Sequence, residues 1–581
     1  MQLYGDGRLY AATDVVGFLE CQHLTTLDLT HLRTPLKVAE TDESDTLVQE
    51  KGFEHERAYV EHLRAQGLNV VDISVGNESI PAKVEATLAA MREGVDVIYQ
   101  ATLLEGCLIG YADFLMKVPR PSALGEHSYE VSDTKLSRTP KAKFLVQLAF
   151  YSRLLARAQG AAPAQMHVVL GDRSMRSYRC ADFAHYVDSL LARFLQRVEG
   201  GAQDTYPEPC NHCDLCRWSE ICGQRWLEDD HLSQVANITR IQIGKLEASG
   251  VEKMAQLAEV ADGGMAKIAA ETLGRLRAQA KLQGQARETG ERAVEALPLD
   301  PEHRRGFYRL PEPKAGDMFF DMEGNPWEEG GLEYLFGVYY RDAEQWQFKG
   351  FWAHDRQEER QAFEEFVDFV MARLKQFPGA HVYHYAKYEE TALKKLMSLH
   401  ATREVDVDNM LRHGILVDLY QVVREAIRVS EPRYSIKNIE HFYLEAREGD
   451  VTNAGASIVW YEKWRETGDQ QLLDAIESYN KDDVRSTQLL LDWLLTLRPA
   501  DMPWAQPPSG DGAEAEAAIA GELTDAEARL VPYRKALVDP LPEDRLQWGI
   551  DEHARELTYQ LLDFHRRADK PAYWALYARM A

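Results

Sequence analysis

The apolar positions of this chain change period several times, and each change marks an element. Residues 98–103 and 107–118 carry apolar and β-branched runs on either side of a Glu-Gly turn, the pattern of two paired strands. Residues 129–135 read as a further strand, and residues 144–156 switch to the helical period with one apolar face. From 226 to 310 the pattern is mostly helical and polar. Within it Ile238, Ile241, Leu246, Val251, Met254 and Leu257 frame a turn at Ser249-Gly250-Val251. This is a helix-hairpin-helix-like unit whose turn amides can hold a phosphate; a plain helical linker reads the same way. Pro311 to Pro313 punctuates the chain. Residues 318–322, 334–340 and 382–385 then read as strands, and 472–497 as one or two helices. Residues 499–517 are rich in Pro, Gly, Ala and acids and read as a linker, after which 523–581 turns helical again. The pattern predicts a multidomain α/β chain in four parts: 1–225, 226–310, 311–498 and 499–581.

A length of 581 residues exceeds what one hydrophobic core organises, in keeping with that division. No run of about 18 apolar residues occurs, and Met1-Gln2-Leu3-Tyr4-Gly5-Asp6 lacks the basic and apolar regions of a signal peptide. A cytoplasmic chain with no membrane partner is expected. The formal net charge of −27 argues against broad electrostatic attraction to nucleic acid. It leaves room for a nuclease, because catalytic carboxylates are neutralised by metal ions and contact surfaces can be locally basic. Lys135, Arg138, Lys141 and Lys143 form one such local patch, which also reads as a solvated helix start.

Acidic residues cluster in two places. In the first, Gly110-Tyr111-Ala112-Asp113 is followed by Tyr129-Glu130-Val131-Ser132-Asp133-Thr134-Lys135. Asp133 and Lys135 stand two apart on a predicted strand and share a face. A carboxylate there can hold a divalent ion, and the ammonium beside it can orient an attacking water or stabilise charge on a phosphate. Asp113, on the neighbouring strand, supplies a second carboxylate. His55, in Gly52-Phe53-Glu54-His55-Glu56, is placed to add an imidazole from a preceding helix, and Gln147 and Tyr151 share one face of the following helix.

Five cysteines are organised: Cys21 near the N-terminus, and Cys210, Cys213, Cys216 and Cys222 together. Cys107 and Cys180 sit apart and read as buried thiols. In a reducing compartment clustered cysteines indicate metal rather than disulfides, and tetrahedral zinc and an iron–sulfur cluster both fit the spacing. Either would tie the two ends of the first domain together as a staple.

The ordered set His55, Asp113, Asp133-x-Lys135 and Gln147-x3-Tyr151, bracketed by Cys21 and Cys213-Cys216-Cys222, resembles the RecB-like PD-(D/E)XK nucleases of the iron–sulfur type. The nucleases of CRISPR adaptation and of AddB belong to this type. The resemblance covers residues 1–225. It implies a restriction-endonuclease-like α/β core, dependence on Mg2+ or Mn2+, and cleavage of DNA, commonly from single-stranded ends. It implies His55, Asp113 and Asp133 as metal ligands, Lys135 as the catalytic lysine and Gln147 and Tyr151 on the substrate side. Cys21, Cys213, Cys216 and Cys222 would be ligands of a 4Fe-4S cluster, with zinc as the alternative. Cys210 is extra to that pattern, a bystander or an alternative ligand.

The second acidic group is Phe320-Asp321-Met322-Glu323-Gly324, answered by Tyr479-Asn480-Lys481-Asp482-Asp483. Asp321 and Glu323 share a strand face, and Tyr479 and Asp483 share a helix face. Two metal ions about 4 Å apart need carboxylates converging from different elements, and a tyrosine can position the attacking water. This pattern resembles the DEDD exonucleases of the ribonuclease H-like fold, in the branch related to YprB, over residues 315–497. The resemblance assigns catalytic and metal-binding roles to Asp321, Glu323 and Asp483, with Tyr479 beside them. The middle acid departs from the family: Glu389, in His384-Tyr385-Ala386-Lys387-Tyr388-Glu389, stands where an aspartate is usual, and Asp418 is a reserve.

The order of parts resembles RecB-like nucleases that continue into a superfamily 1 helicase. No Gly-x4-Gly-Lys-Ser/Thr phosphate loop occurs in this sequence, and His565-Arg566-Arg567-Ala568-Asp569-Lys570-Pro571 looks like the segment that precedes such a helicase. The expected partners are therefore single-stranded or duplex DNA ends, RNA as a further substrate of the second site, and a helicase in cis or in trans. Two rival readings are a nucleic-acid-binding scaffold with one or both sites inactive, and a zinc-stapled adaptor.

Overall fold

The computed structural model describes residues 1–5, 7–39, 43–76, 79–200, 204–261, 267–328, 330–444, 454–505, 525–542, 547–562 and 564–569. Most of the expected 499–517 linker and the Lys570-Pro571 end of the tail motif lie outside the described residues. Two compact units emerge: Met1–Glu291 with Pro326–Gly331, and Arg292–Asn325 with Leu332–Ala581. The division falls near residue 291 rather than at 310. Its physical reason is a strand, Val294–Ala296, that pairs antiparallel with Ile427–Val429 and so ties the end of the expected linker to the second unit.

The first unit is built on an eight-stranded mixed sheet. Val97–Glu105, Leu108–Val118 and Ser128–Thr134 form an antiparallel meander. Helix Ala142–Gln159 then crosses over to Gln165–Val169, which pairs parallel with Ser128–Thr134. The meander strands and the crossover helix are the elements the periodicity predicts, with bounds shifted by one to three residues. All of Ser128–Thr134 is buried, so a carboxylate on this central strand sits in apolar surroundings. Gly110 lets the crossover helix approach: a Cβ there would lie 2.9 Å from Leu154 Cδ1 and 3.0 Å from Tyr151 Cδ1.

The cysteine-bearing segment folds back onto the N-terminal helices Ala12–Glu20 and Gln22–His31. Buried Asp28 accepts a hydrogen bond from Trp218 Nε1 at 2.7 Å and pairs with Arg217 at 2.6 Å. His31 packs against the Trp218 ring with centroids 5.2 Å apart. This polar anchor holds the chain ends together before any metal is considered.

The helical part of the same unit has its own small core, including Leu232, Ile243, Leu246, Val251 and Leu257. Gly250, at φ +83°, turns the chain between Arg240–Glu247 and Met254–Ala258, as the hairpin pattern predicts. Ile241, one of the apolar residues framing the turn, stays outside this core and is 72 % exposed. Ile243 and Leu246, three apart, define the inward stripe of this short helix, and Ile241 lies off it.

In the second unit a five-stranded sheet runs in the order Gln345–Trp352, Leu332–Asp342, Met318–Asn325, Val382–His384, Leu416–Asp418. The first three strands are antiparallel and the last two continue parallel. Strand alternation sends Met318, Phe320 and Met322 to one face, where they pack with Phe363 and Phe366 of helix Arg356–Gln376. Asp321 and Glu323 therefore point to the other face, against which helix Gln470–Leu497 packs. The expected one or two helices of 472–497 are a single helix, N-capped by Asp469. Toward the C-terminus the described elements are helical, Asp525–Leu537 and Ile550–Leu561. No helix among the described residues is long and apolar enough to cross a membrane.

Candidate active sites

In the second unit, strand alternation and helix periodicity bring three carboxylates together. Oxygens of Asp321, Glu323 and Asp483 all lie within 4.8 Å of one another. Gly337 stands opposite Asp321 in the strand register, and a Cβ there would come within 1.6 Å of Asn480 Oδ1. The missing side chain lets the helix settle onto the sheet, and Asn480 Nδ2 donates to Asp321 Oδ2 at 2.9 Å. Ser457 Oγ donates to Glu323 Oε2 at 2.7 Å, and Tyr334 OH donates to Ser457 Oγ at 3.2 Å. Lys437 Nζ lies 2.6 Å from Asp483 Oδ1.

Two of the three acids in this small volume, Asp321 and Glu323, resist ionisation. Burial, then the charges of Asp483, Glu323 and Glu389, hold the Asp321 carboxyl well above the usual range. Burial pushes Glu323 up to about 8 despite the hydrogen bond from Ser457. The Tyr479 hydroxyl is pushed up by burial and then by Asp483, with which it also shares a hydrogen bond.

A pH dependence follows. Glu323 has a folded value near 8 against 4.5 for the ordinary glutamate, so its contribution to stability is complete below the lower value and lost as pH rises through the higher. In a chelating buffer the second unit is expected to lose thermal stability between about pH 5 and about pH 8, with Mn2+ restoring more of it at the alkaline end. Calorimetry on wild type and Glu323→Gln checks this; equal slopes for the two proteins would contradict it.

Glu389 reaches Asp321, with which it shares a side-chain hydrogen bond, but stands outside the three-carboxylate group. His384 Nδ1 lies 3.3 Å from its Oε2. Burial alone would lower the His384 pKa; the hydrogen bond and charge of Glu389 outweigh it and raise it. Asp418, the reserve acid, does not join the group. Its Oδ1 accepts the backbone N–H of Ala386 and of Tyr420, each at 2.9 Å, and caps helix Leu419–Ala426, while Oδ2 is buried with no hydrogen-bond partner.

In the first unit Asp113 lies one residue beyond the Phe114–Ser132 pair, across from Asp133. Asp133 is fully buried and ion-paired with Lys135. Thr134 donates to Asp113 Oδ2 through its N–H at 2.9 Å and its hydroxyl at 3.1 Å. Burial, then the Asp133 charge, holds Asp113 well above the carboxylate range. For Lys135 burial acts downward, and the charges of Asp133 and Asp113 overcome it to raise the pKa. Gln147 Nε2 donates to Tyr151 OH at 2.9 Å, and that hydroxyl is pushed up by burial and then by Asp133. Arg138 and Lys141 are exposed beyond the site, while Lys135 turns inward, so the basic patch is divided.

His55 does not close this set. Its ring faces the backbone of Val169 and Leu170, its pKa is lowered chiefly by burial, and its Nε2 is buried without a partner. Among the described residues no ligand trio like that of the second unit forms from His55, Asp113 and Asp133. The neighbouring Glu56 occupies the acidic side instead. The strand register skips Gln100, which has φ +55° and stands opposite Asp113. Gln100 Nε2 donates to buried Glu56 Oε1, and the Glu56 charge acts on Asp113 and Lys135. Adjacent residues on a helix point about 100° apart, so His55 and Glu56 cannot both aim at one point.

The five organised cysteines line one hollow with Trp218 and Trp226, and all are free thiols. Cys210 belongs to this set, and its sulfur lies 3.8 Å from that of Cys213. A tetrahedral ion with bonds of about 2.3 Å needs four sulfurs about 3.8 Å apart. Among the described residues, no three cysteine sulfurs fall within 4.8 Å of one another. Burial pushes the thiols of Cys21, Cys213, Cys216 and Cys222 up, Cys213 to about 11 and Cys222 to about 12. They stay protonated until a cation displaces the protons.

Residues 318–495 match the RNase H superfamily. That segment is a nuclease domain of RNase H-like type. The match begins at the strand holding Asp321 and Glu323 and runs through Tyr479 and Asp483, so it encloses the whole carboxylate cluster. RNase H-like nucleases use Mg2+ or Mn2+, and the cluster is consistent with that use. No curated protein matches the chain.

Proposed function

We propose that this chain is a divalent-metal-dependent nuclease with two sites: an exonuclease of the DEDD type in the RNase H-like domain, and a RecB-like DNase in the first unit. The observation that carries the reading is the convergence of Asp321, Glu323 and Asp483 inside the RNase H superfamily match. These three would hold one ion. Asp321, between that group and Glu389, is placed to be shared with a second. Bound there, Mg2+ or Mn2+ supplies charge against the phosphate and acidifies the attacking water. Asn480 and Ser457 fix the carboxylates in place, and the Tyr479 hydroxyl, kept protonated, orients the water by hydrogen bonding. The His384 ring, with Nδ1 3.3 Å from Glu389 Oε2, anchors the longer acid. Cleavage from 3′ ends is the direction the DEDD resemblance implies.

In the first unit Asp113 and Asp133 would hold the ion, with Glu56 or a rotated His55 as a third ligand. Lys135 would orient water or meet charge developing on the phosphate, and Gln147 and Tyr151 would line the strand. The substrates are DNA with single-stranded or duplex ends, RNA being a further substrate of the RNase H-like site, and a helicase in cis or in trans would feed them. Digestion of end-labelled DNA and RNA that requires Mn2+ and stops with chelator is the expected behaviour. A scaffold reading rests on Glu389, which replaces the usual aspartate and is engaged by His384; metal bound without hydrolysis of any end would favour it.

The cysteine hollow is proposed to hold a 4Fe-4S cluster on Cys21, Cys213, Cys216 and Cys222, with Cys210 as a neighbouring thiol. The gathering of five cysteines in one hollow supports a metal centre there, with zinc as the alternative to the cluster. Anaerobically purified protein should be brown and contain about four irons per chain, and Cys222→Ser should lose them. Stoichiometric zinc with no iron would overturn the cluster and leave the staple.

A further inference from the structure

The RNase H-like site contains a cation of its own that sequence patterning did not reveal. Lys437 lies on the short helix Ile436–Ile439, far in sequence from each of the clustered acids. Its ammonium is 2.6 Å from Asp483 Oδ1 and 4.9 Å from the centre of the Tyr479 ring. Its charge also reaches Glu323. The side chain is 37 % exposed while that of Asp483 is 15 % exposed, so the lysine approaches the acids from the open side.

We infer that Lys437 is the resident counter-ion of this site: it neutralises Asp483 while no divalent ion is bound, and it turns to a non-bridging oxygen of the scissile phosphate once ion and strand are in place. This rests on the metal-dependent reading of the same site. The physical reason is competition. A Mg2+ or Mn2+ ion shared by Asp321, Glu323 and Asp483 puts two or more positive charges a few ångströms from the ammonium, and two cations on one carboxylate repel. The lysine stem has four rotatable carbons and three donors, so the ammonium can leave Asp483 without moving the backbone. Tyr479 keeps the ammonium at the site: its ring, 4.9 Å away, is a favourable surface for a cation, and its hydroxyl lies beside the acids that would bind the reacting group. A lysine that only fixed a loop would have no reason to oppose metal binding.

The test is Mn2+ binding by the full chain, followed by the paramagnetic signal of the free ion, with kcat measured at saturating Mn2+. The ions missing from Asp483→Asn define this site. Lys437→Met should bind Mn2+ there about tenfold more tightly and turn over about a hundredfold more slowly, the opposite signs being the signature. Lys437→Arg, which keeps the charge, should restore near wild-type Mn2+ affinity and part of the rate. Lys437→Met with unchanged or weaker Mn2+ binding, or with unchanged kcat, overturns the inference, as does Lys437→Arg behaving like Lys437→Met in both. If Asp483→Asn binds as many ions as wild type, the metal-site reading itself fails. If Asp483→Asn loses an ion and Lys437→Met matches wild type, the lysine role alone fails.

Discussion

Asp321→Asn is expected to reduce turnover by the RNase H-like domain about a thousandfold or more, while leaving the domain folded and, without metal, more stable. Asp321 is the acid that every other member of the cluster perturbs: Asp483, Glu323 and Glu389 all raise its pKa, and Asn480 donates to it. An amide keeps the shape and can still meet Asn480 but carries no charge for a divalent ion. It also removes one of several mutually repelling buried acids, which is why stability should rise in chelator. Thermal melts with chelator and with Mn2+ separate the two effects. A variant that loses turnover because it unfolds, or one that keeps Mn2+-dependent stabilisation at this site, would contradict the assignment.

Lys135→Ala is expected to reduce DNA cleavage by the first unit about a thousandfold. Unlike Asp321→Asn it should also destabilise, because it leaves wholly buried Asp133 without its counter-charge, a change costing about 3–5 kcal/mol. Replacing both, Asp133→Asn with Lys135→Met, removes the uncompensated charge. The pair variant should recover most of the stability and none of the cleavage. Denaturant melts and a DNA digestion assay on the single and double variants decide this; a double variant as unstable as the single would refute the buried-pair account.

The parts of both sites that depend on one local period were legible in the sequence. Asp321 and Glu323 share a face because a strand alternates, and Tyr479 and Asp483 because four residues make about one helical turn. Asp133 and Lys135 follow the same rule across the end of their strand. What stayed hidden depends on partners distant in the chain. Asn480 acts only because Gly337 leaves room above the strand. Glu56 acts on the acids beside His55, held by Gln100, a strand residue at positive φ, and no apolar pattern announces that backbone conformation. Lys437 lies on a four-residue helix whose sequence shows no period. The cysteines were legible as a set, and the fold gathers all five in one hollow. The division near residue 291 was not legible, because Val294–Ala296 is too short to read as a strand without its partner at Ile427–Val429.

The central claim is that two separable metal-dependent nuclease sites reside in one chain. Its most direct test is digestion of end-labelled single- and double-stranded DNA and RNA with Mn2+, by wild type, Lys135→Met, Asp321→Asn and the combination of the two. Each single variant should lose a different subset of products and the combination should lose all of them; a combined variant that still digests every substrate as wild type does would contradict the account.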